Sequence, residues 1–536
     1  MMRKAPGTQR SWIRPCLMVA SFSLALGCFE SESRREEHQA KPGKINQPNV
    51  LFVFFDSYRA DVIGAYGGGA NVSTPNIDRL AEEGTLFSNG LSTTPLCSPY
   101  RGMLLTGRHP THTGIISNFL EVPPNALGLA EVFREGGYRT AFMGKWHLAA
   151  GSHKEAWVGT EAGSWADAMS FMKANPNFNF VPPGHSRLGF QDWAAYNFHS
   201  KHYSTPYYGN EPKERVMDGY QTNALTTMAI RYMESAREAS EPFFLMVAPH
   251  PPHGPYLRVP ERSREEVNPT LQWNENVPEK LRVSRNRANA IGYYSMCKNA
   301  DDNVGRILDY LERSGLEDDT IVVFTSDHGE MLGSHGRSNK MVAYAEAIRI
   351  PMIMRWPGRI AANHRTDTLQ GPMDHFPTLV SLAGLKLPPD LDGVDLSSEL
   401  LGGEPVPRDA LLLSNFTAHW DFFMTGSDEG ANWPEWRGVK TQQYTYIRWI
   451  DGKTELYDDQ VDPAQLTNLS KNTDYGSLIE ALEVKLLALL AEAHDEFMPG
   501  NAYIDWVDRE RNIIKTGLGP IRSENRLGVQ RRGGDR

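Results

Sequence analysis

The seven residues from Asn49, Asn-Val-Leu-Phe-Val-Phe-Phe, are almost wholly apolar, and the run stops at Asp56. A short apolar run without alternation is what a strand covered on both faces of a sheet requires. Tyr138–Met143, Phe243–Val247, Thr320–Thr325 and Pro351–Arg355 have the same character. The segments between them carry helical periodicity. Pro75–Gly84 has Pro at its start and Gly at its end, the asymmetry of a short helix. Leu127–Gly136, Val216–Arg237, Asn289–Arg313 and Asp374–Ala383 predict further helices. Strand and helix alternate from Asn49 to Ala383, which predicts an α/β fold with helices on both faces of a sheet.

Two stretches break this rhythm. Gly151–Pro212 and Asn415–Trp436 are rich in Gly, Pro, Asn and aromatic residues and read as long loops, which in a compact domain are often functional. Past Pro389 the pattern changes. Tyr444–Ile450 is strand-like, Asp451-Gly452 is a hairpin signal, and Thr454–Tyr457 is placed to pair back. Ser477–Phe497 is an amphipathic helix, so this region predicts a small α+β unit. The expected organisation is an N-terminal leader over 1–28, a polar tether over 29–48, a large domain over 49–386, a smaller one over 387–515 and a disordered basic tail over 516–536.

Composition adds limits. The 536 residues carry a formal net charge of -10, where a nucleic-acid binder would show a basic face. Acidity does not exclude an anionic substrate, because a metal and a few local cations can reverse the field in a cleft. Arg3, Lys4, Arg10 and Arg14 precede an apolar run from Cys16 to Gly27, too short to span a bilayer comfortably, and this reads as an export signal. Ala25-Leu26-Gly27-Cys28 resembles a lipobox with Ala in place of the usual Leu. A lipid anchor at Cys28 and simple secretion both stay open, and the periplasm or an outer membrane is the expected location. Of the four cysteines, Cys16 and Cys28 belong to the leader. Cys97 and Cys297 could pair, but Cys297 lies in a helical pattern that suits a buried free thiol.

Cys97 needs another account. In Cys97-Ser98-Pro99-Tyr100-Arg101-Gly102-Met103-Leu104-Leu105-Thr106-Gly107 a polar turn leads into a short helix, with Arg101 one turn on. Helix amides and a guanidinium both favour negative charge there, and would lower a thiol pKa. On these grounds alone a catalytic thiol and a structural turn are both open.

The wider pattern is more specific. C-x-P-x-R followed by Leu104-Leu105-Thr106-Gly107 resembles the signature of type I, formylglycine-dependent sulfatases of the alkaline phosphatase-like superfamily. Gly137–His147 resembles that family's second signature. Further blocks that fit it are Thr74–Asp78, Pro249-His250-Pro251-Pro252-His253, Thr325–Gly329, Lys340 with Tyr344 and Arg349–Pro351, and Glu455–Asp458 with Asp462-Pro463. The chain departs from the pattern at Tyr100, where Ser or Ala is usual, at Met143, and at Ser57, where many members carry a second metal-binding Asp.

The resemblance implies an alkaline phosphatase-like sandwich: a large mixed, mostly parallel sheet flanked by helices, plus a smaller C-terminal α+β domain with an antiparallel sheet. It implies that Cys97 is oxidised to formylglycine by a maturating enzyme. One hydroxyl of the hydrated aldehyde attacks sulfur and the alcohol leaves. The second hydroxyl then gives its proton to a base, and sulfate departs as the aldehyde re-forms. The implied metal ligands are Asp56, residue 97, Asp327 and His328, with calcium favoured over magnesium or manganese. Arg101 would hold the hydrated aldehyde, Lys145 a sulfate oxygen, and His147 would be the base. His253 and Lys340 would face the leaving group, one of them as general acid. His250 is the less certain member of its pair.

The implied activity is hydrolysis of sulfate esters in sulfated poly- or oligosaccharides. Two alternatives stay beside it: a phosphodiester or phosphonate monoester hydrolase of the same superfamily, and an inactive protein that binds sulfated glycans. Trp420, His199 and His202 lie in the aromatic loops, where packing explains them as well as sugar binding does.

Overall fold

The computed structural model describes residues 47–149, 176–419, 434–508 and 511–521. The leader, the tether up to residue 46, the tail beyond 521 and Trp420 lie outside them; the expected disordered tail instead begins in order, since Thr516 and Gly519 sit in an antiparallel pair of two-residue strands, Lys515–Thr516 and Gly519–Pro520. The first apolar run forms β1 (Asn49–Phe55). Val50, Phe52 and Phe54 join one hydrophobic core, whereas Leu51, Val53 and Phe55 join another. A strand that feeds a core on each face cannot alternate apolar with polar, which explains the unbroken run.

β1 lies inside an eight-stranded sheet with β2 (Thr85–Gly90), β3 (Arg139–Lys145), β4 (Asp192–Tyr196), β7 (Phe243–Ala248), β8 (Thr320–Ser326), β9 (Met352–Arg355) and β10 (His364–Gln370). A two-residue ladder pairs β5 (Pro206–Tyr207) with β6 (Arg215–Val216). The order in the large sheet is β10-β2-β9-β8-β1-β7-β3-β4. β1 is parallel to β7 and β8, and β3 is parallel to β7 and β4. β9 alone runs antiparallel, to both β2 and β8. The helices Cys97–Thr106, Leu129–Glu135 and His375–Leu382 pack on one face through Tyr100, Leu104, Phe133, Phe376 and Leu379. The helices Pro75–Glu82, Gln221–Ala239 and Ser284–Ser314 cover the other through Ile77, Leu225, Met233, Tyr293 and Cys297. The fold is therefore the alkaline phosphatase-like α/β sandwich expected, with a mixed, mostly parallel sheet.

A second sheet is antiparallel, in the order β11 (Leu411–Asn415), β12 (Trp436–Lys440), β13 (Tyr444–Trp449) and β14 (Thr454–Asp458). Asp451-Gly452 turns the predicted hairpin, and Gly452 takes φ 83 there. One face of this sheet packs against the helix Gly476–Glu492 through Leu412, Val439, Leu456, Leu482 and Leu486. The other face, with Leu413, Trp436 and Ile447, packs against Met331, Val342 and Ile348.

Some expected boundaries shift. The helix expected from Val216 starts at Gln221, because Val216 belongs to β6 and Gly219 turns the chain at φ 74. The helix expected to reach Phe497 stops at Glu492, and His494 and Phe497 take left-handed backbone just beyond it. The stretch 151–212, read as loop, contains the edge strand β4. Cys97 and Cys297 are both free thiols, so the open disulfide is not formed.

Candidate active site

The carboxyl ends of the parallel strands converge, the usual position for a site in an open α/β sheet. Asp56 follows β1, Asp327 follows β8, Lys145 closes β3, and His250 lies just past β7. Cys97 enters from the loop after β2, as the first residue of its helix. The Ser98 amide is taken by Asn118 Oδ1 at 3.0 Å and the Tyr100 amide by the Leu96 carbonyl at 3.1 Å. Side-chain cations, more than helix amides, therefore face whatever anion Cys97 meets.

Asp56, Cys97, Asp327 and His328 each offer one ligand atom, and these atoms lie within 4.8 Å of one another. All four side chains are buried. His328 Nε2 is 3.3 Å from Cys97 Sγ. Its Nδ1 lies 2.9 Å from the Gly329 carbonyl, a contact that takes the ring proton and leaves Nε2 as the ligand nitrogen. Two buried carboxylates, an imidazole nitrogen and residue 97 converging on one point fit a divalent cation with a taste for hard oxygen donors.

Ser57 explains how Asp56 is aimed. It takes φ 71, costly for a residue with a Cβ and often found where function fixes the backbone. Its amide donates to Asp327 Oδ1 at 3.1 Å and its carbonyl accepts from Tyr293 Oη at 2.8 Å. Its hydroxyl reaches Asp56 Oδ1 at 3.2 Å and lies 3.5 Å from His328 Nδ1. The serine that replaces a usual carboxylate thus ties three of the four ligand residues together. The other departure, Tyr100, is turned into the core under its helix and leaves the Cys97–Arg101 edge clear.

Three cations surround the two carboxylates. Arg101 is buried and bridges Asp327 Oδ2 at 2.9 Å and Asp56 Oδ2 at 3.4 Å, while its other nitrogen donates to the Lys145 carbonyl. The Phe54 ring lies under the guanidinium, 4.7 Å away. Lys145 Nζ reaches Asp56 Oδ2 at 2.5 Å and Cys97 Sγ at 3.5 Å. Burial would raise the Asp56 pKa, but Lys145 and the imidazoles of His253, His250 and His328 hold it well below the usual carboxylate range. Burial and Asp56 push the Cys97 thiol up, yet Lys145, Lys340 and His328 bring it below its ordinary value. One positive charge is left over in a dry site, a cost that a bound anion removes.

The predicted base and acid are also brought in. His147 is buried with backbone φ 58, stacked on Phe198 at 4.6 Å, and neither ring nitrogen has a hydrogen-bond partner. Burial, with Lys145 and Arg101 beside it, holds its pKa well below the usual imidazole range, so it is neutral and able to accept a proton. Lys340 Nζ lies 3.0 Å from His253 Nε2, and His253 Nδ1 is 3.0 Å from the Gly254 carbonyl. His253 thus uses its one proton on Gly254 and accepts from Lys340. Burial, then Lys340, lowers the His253 pKa. Burial opposes the Lys340 charge, but Cys97, Asp56 and Glu330 raise its pKa above the ordinary lysine value. Of the pair, Lys340 carries the proton.

His250, left aside on sequence grounds, is fully part of the centre. Its Nε2 is 4.0 Å from Asp56 Oδ2, and its ring stacks on His253 at 4.5 Å. The signal was the proline-rich spacing between the two histidines, which turns both rings to one side. His202 stands 5.5 Å behind His250, and His199 stacks on Tyr196, so both pack at the rim of this cluster. Two further residues had no legible signal: Glu330, which accepts from the Asn339 amide at 2.6 Å, and Trp436, whose Nε1 donates to the Met341 carbonyl at 2.9 Å. Together they fix the two neighbours of Lys340.

Comparison with known proteins agrees with this geometry. The chain is similar to the ulvan-active sulfatase of Formosa agariphila, with 33% identity over 92% of this chain and 89% of that one. It is also similar to the endo-4-O-sulfatase of Bacteroides thetaiotaomicron, with 28% identity over 84% and 93% of the two chains. Among solved structures, one from Bacteroides fragilis described as a sulfatase superposes with a TM-score of 0.74 at 29% identity, covering 87% of this chain and 99% of that one. The model of the C-terminal region of N-sulphoglucosamine sulphohydrolases matches residues 333–492. With the sulfatase model matching residues 48–385, the stretch that holds every residue of the charged centre, the chain belongs to the sulfatase family, enzymes that hydrolyse sulfuric esters.

Proposed function

We propose that this enzyme removes sulfate from a sulfated polysaccharide or its fragments, with a formylglycine made from Cys97 as nucleophile. The observation that carries the reading is the buried surplus of cations around residue 97, where Arg101, Lys145 and Lys340 face Asp56 and Asp327. Such a site gains most from an anion that reaches it, and a sulfate ester brings one negative charge. The names of similar sulfatases, one ulvan-active and another an N-acetylglucosamine-6-O-sulfatase, support a carbohydrate on the alcohol side.

Asp56, residue 97, Asp327 and His328 would hold a divalent cation, with calcium preferred because two of the four donors are carboxylates. Bound there, it supplies Lewis-acid polarisation of the nucleophile and the sulfate oxygens. A hydrated aldehyde at position 97 supplies a hydroxyl nucleophile that water alone would not match at neutral pH. The chain's own groups do the rest. Arg101 fixes the two carboxylates and the helix that carries residue 97. Lys145 gives a sulfate oxygen a hydrogen-bond donor in place of its contact with Cys97 Sγ. His147, neutral and without a partner, takes the proton of the second hydroxyl. Lys340, protonated and oriented by His253, gives its proton to the departing alcohol.

The segment 1–28 supports export, with Cys28 either lipidated or removed with the leader, and the mass of the mature N-terminus distinguishes the two. The central test is mass spectrometry of the peptide containing Cys97, from active protein, together with its metal content. Aldehyde or hydrate at position 97, about one calcium per chain, and faster turnover of an aryl sulfate than of an aryl phosphodiester are expected. An unmodified thiol in fully active enzyme would overturn the nucleophile assignment. A preference for the phosphodiester would move the substrate to the superfamily's phosphate side.

A further inference from the structure

We infer that a cavity beside Lys340 and His253 binds the carbohydrate chain beyond the residue that carries the sulfate. The inference rests on the proposed function, which puts that pair at the leaving oxygen. The cavity has a volume of about 350 Å³, within the range of roughly 300–1,000 Å³ usual for small-molecule pockets. It lies between Tyr256, the side chains of Asn286 and Asn289 on the helix Ser284–Ser314, and the loop that runs through Arg337 to Asn339. Asn339 is the chain neighbour of Lys340, and Tyr256 follows His253 by one short turn. The cavity wall is thus built from close chain neighbours of the pair that, in the proposed mechanism, faces the departing alcohol.

The walls are built rather than incidental. The Tyr256 backbone packs on Gly292, where a Cβ would meet the Tyr256 carbonyl oxygen at 1.9 Å. Its ring meets Tyr293 edge-on at 6.1 Å, and its hydroxyl is held by Glu330. An aromatic ring fixed in this way is a platform that loses little entropy when a sugar stacks on it. Asn339 takes φ 65, with its amide on Glu330 Oε1 and its carbonyl on the Met331 amide, so its backbone is pinned while its side chain is exposed. Asn286 donates to the Leu281 carbonyl at 2.7 Å, which orients its amide.

Oriented amides beside an aromatic ring match the hydroxyls and apolar face of a pyranose. The Glu330 carboxylate is engaged by the Asn339 amide and Tyr256, which argues against a second cation as the occupant. Arg337 adds a positive charge at the rim, suited to an anionic substituent on a neighbouring sugar.

The test compares chain lengths. Mature, formylglycine-bearing enzyme is assayed on 4-nitrophenyl sulfate and on sulfated di- and tetrasaccharides prepared from ulvan and from chondroitin sulfate. The expected result is a kcat/KM that rises with chain length on at least one series. In the Asn286→Ala/Asn289→Ala variant, the ratio of kcat/KM for tetrasaccharide to that for 4-nitrophenyl sulfate falls at least tenfold, mainly through KM. The single variants Asn286→Ala and Asn289→Ala serve if the double one fails to fold. An unchanged ratio in variants that fold overturns the inference, as does wild-type enzyme that cleaves aryl sulfate but gains nothing from added sugars. Failure on every sulfate ester despite formylglycine at position 97 would instead sink the hydrolase reading, and this inference with it.

Discussion

The active centre has two halves built in different ways. Asp56, Lys145 and Asp327 sit at or just past the ends of strands buried on both faces, and their side chains are fully buried. Lys340 comes from a loop in which Leu332, His335, Asn339 and Met341 all take left-handed backbone. His253 comes from a proline-rich turn. The strand half owes its geometry to the sheet, whose register fixes each strand end against its neighbours. The loop half owes its geometry to groups remote in sequence: the Glu330 carboxylate inside the loop's base, and Trp436 from the second sheet. The two halves divide the labour. In the proposed mechanism, the groups that handle the sulfate, shared by all substrates, stand on the rigid half. Those that would meet the alcohol, which differs between substrates, stand on the half that can be rebuilt without disturbing the sheet.

Several substitutions separate the halves. Cys97→Ala should lower kcat on every sulfate ester, on the order of 10⁴–10⁶-fold, the scale of removing a covalent nucleophile. Lys340→Ala should cost roughly 10²–10⁴-fold on a sugar sulfate but no more than about tenfold on 4-nitrophenyl sulfate, whose leaving group needs little protonation. Equal losses on the two substrates would erase the proposed distinction between the halves. Arg101→Met leaves two buried carboxylates without their shared guanidinium, and a loss of about 3–5 kcal/mol in stability is expected from denaturant unfolding of the metal-free protein.

The pH profile tests the strand half more gently. His147 has a pKa depressed by burial and by Lys145 and Arg101, so protonation disables it only as pH falls through a value below the ordinary 6.5. The acid limb of kcat, which includes the sulfate-releasing step, should accordingly lie below pH 6.5, and a limb at or above that value would remove His147 as the base. The smallest effect belongs to Trp436→Phe. It deletes one hydrogen bond to the Met341 carbonyl, worth about 1 kcal/mol, and should reduce turnover of sugar sulfates a few-fold while sparing 4-nitrophenyl sulfate.

Legibility in the sequence followed the same division. The strands at the centre of the sheet, β1, β7 and β8, were visible as apolar runs because both their faces are covered. The two edge strands were not: β10 reads His-Arg-Thr-Asp-Thr-Leu-Gln, and β4 sits in a stretch rich in Gly, Pro and aromatic residues. Edge strands have one unpaired side and tolerate polar residues, so no apolar run marks them. The direction of β9 was equally hidden, since an apolar run is the same read either way.

The sequence by itself determined the sandwich, the positions of β1, β3, β7, β8 and β9, and the candidate roles of Asp56, Cys97, Arg101, Asp327 and His328, because those depend on local periodicity and on contiguous motifs. Only the tertiary structure decided that His250 belongs to the centre, that Ser57 links Asp56 to Asp327 and His328, that Lys340 rather than His253 holds the proton, and that Trp436 steadies Lys340 from the second sheet. Each of these depends on a contact between residues far apart in the chain, or on the burial and charge that such contacts create, and a linear pattern carries neither.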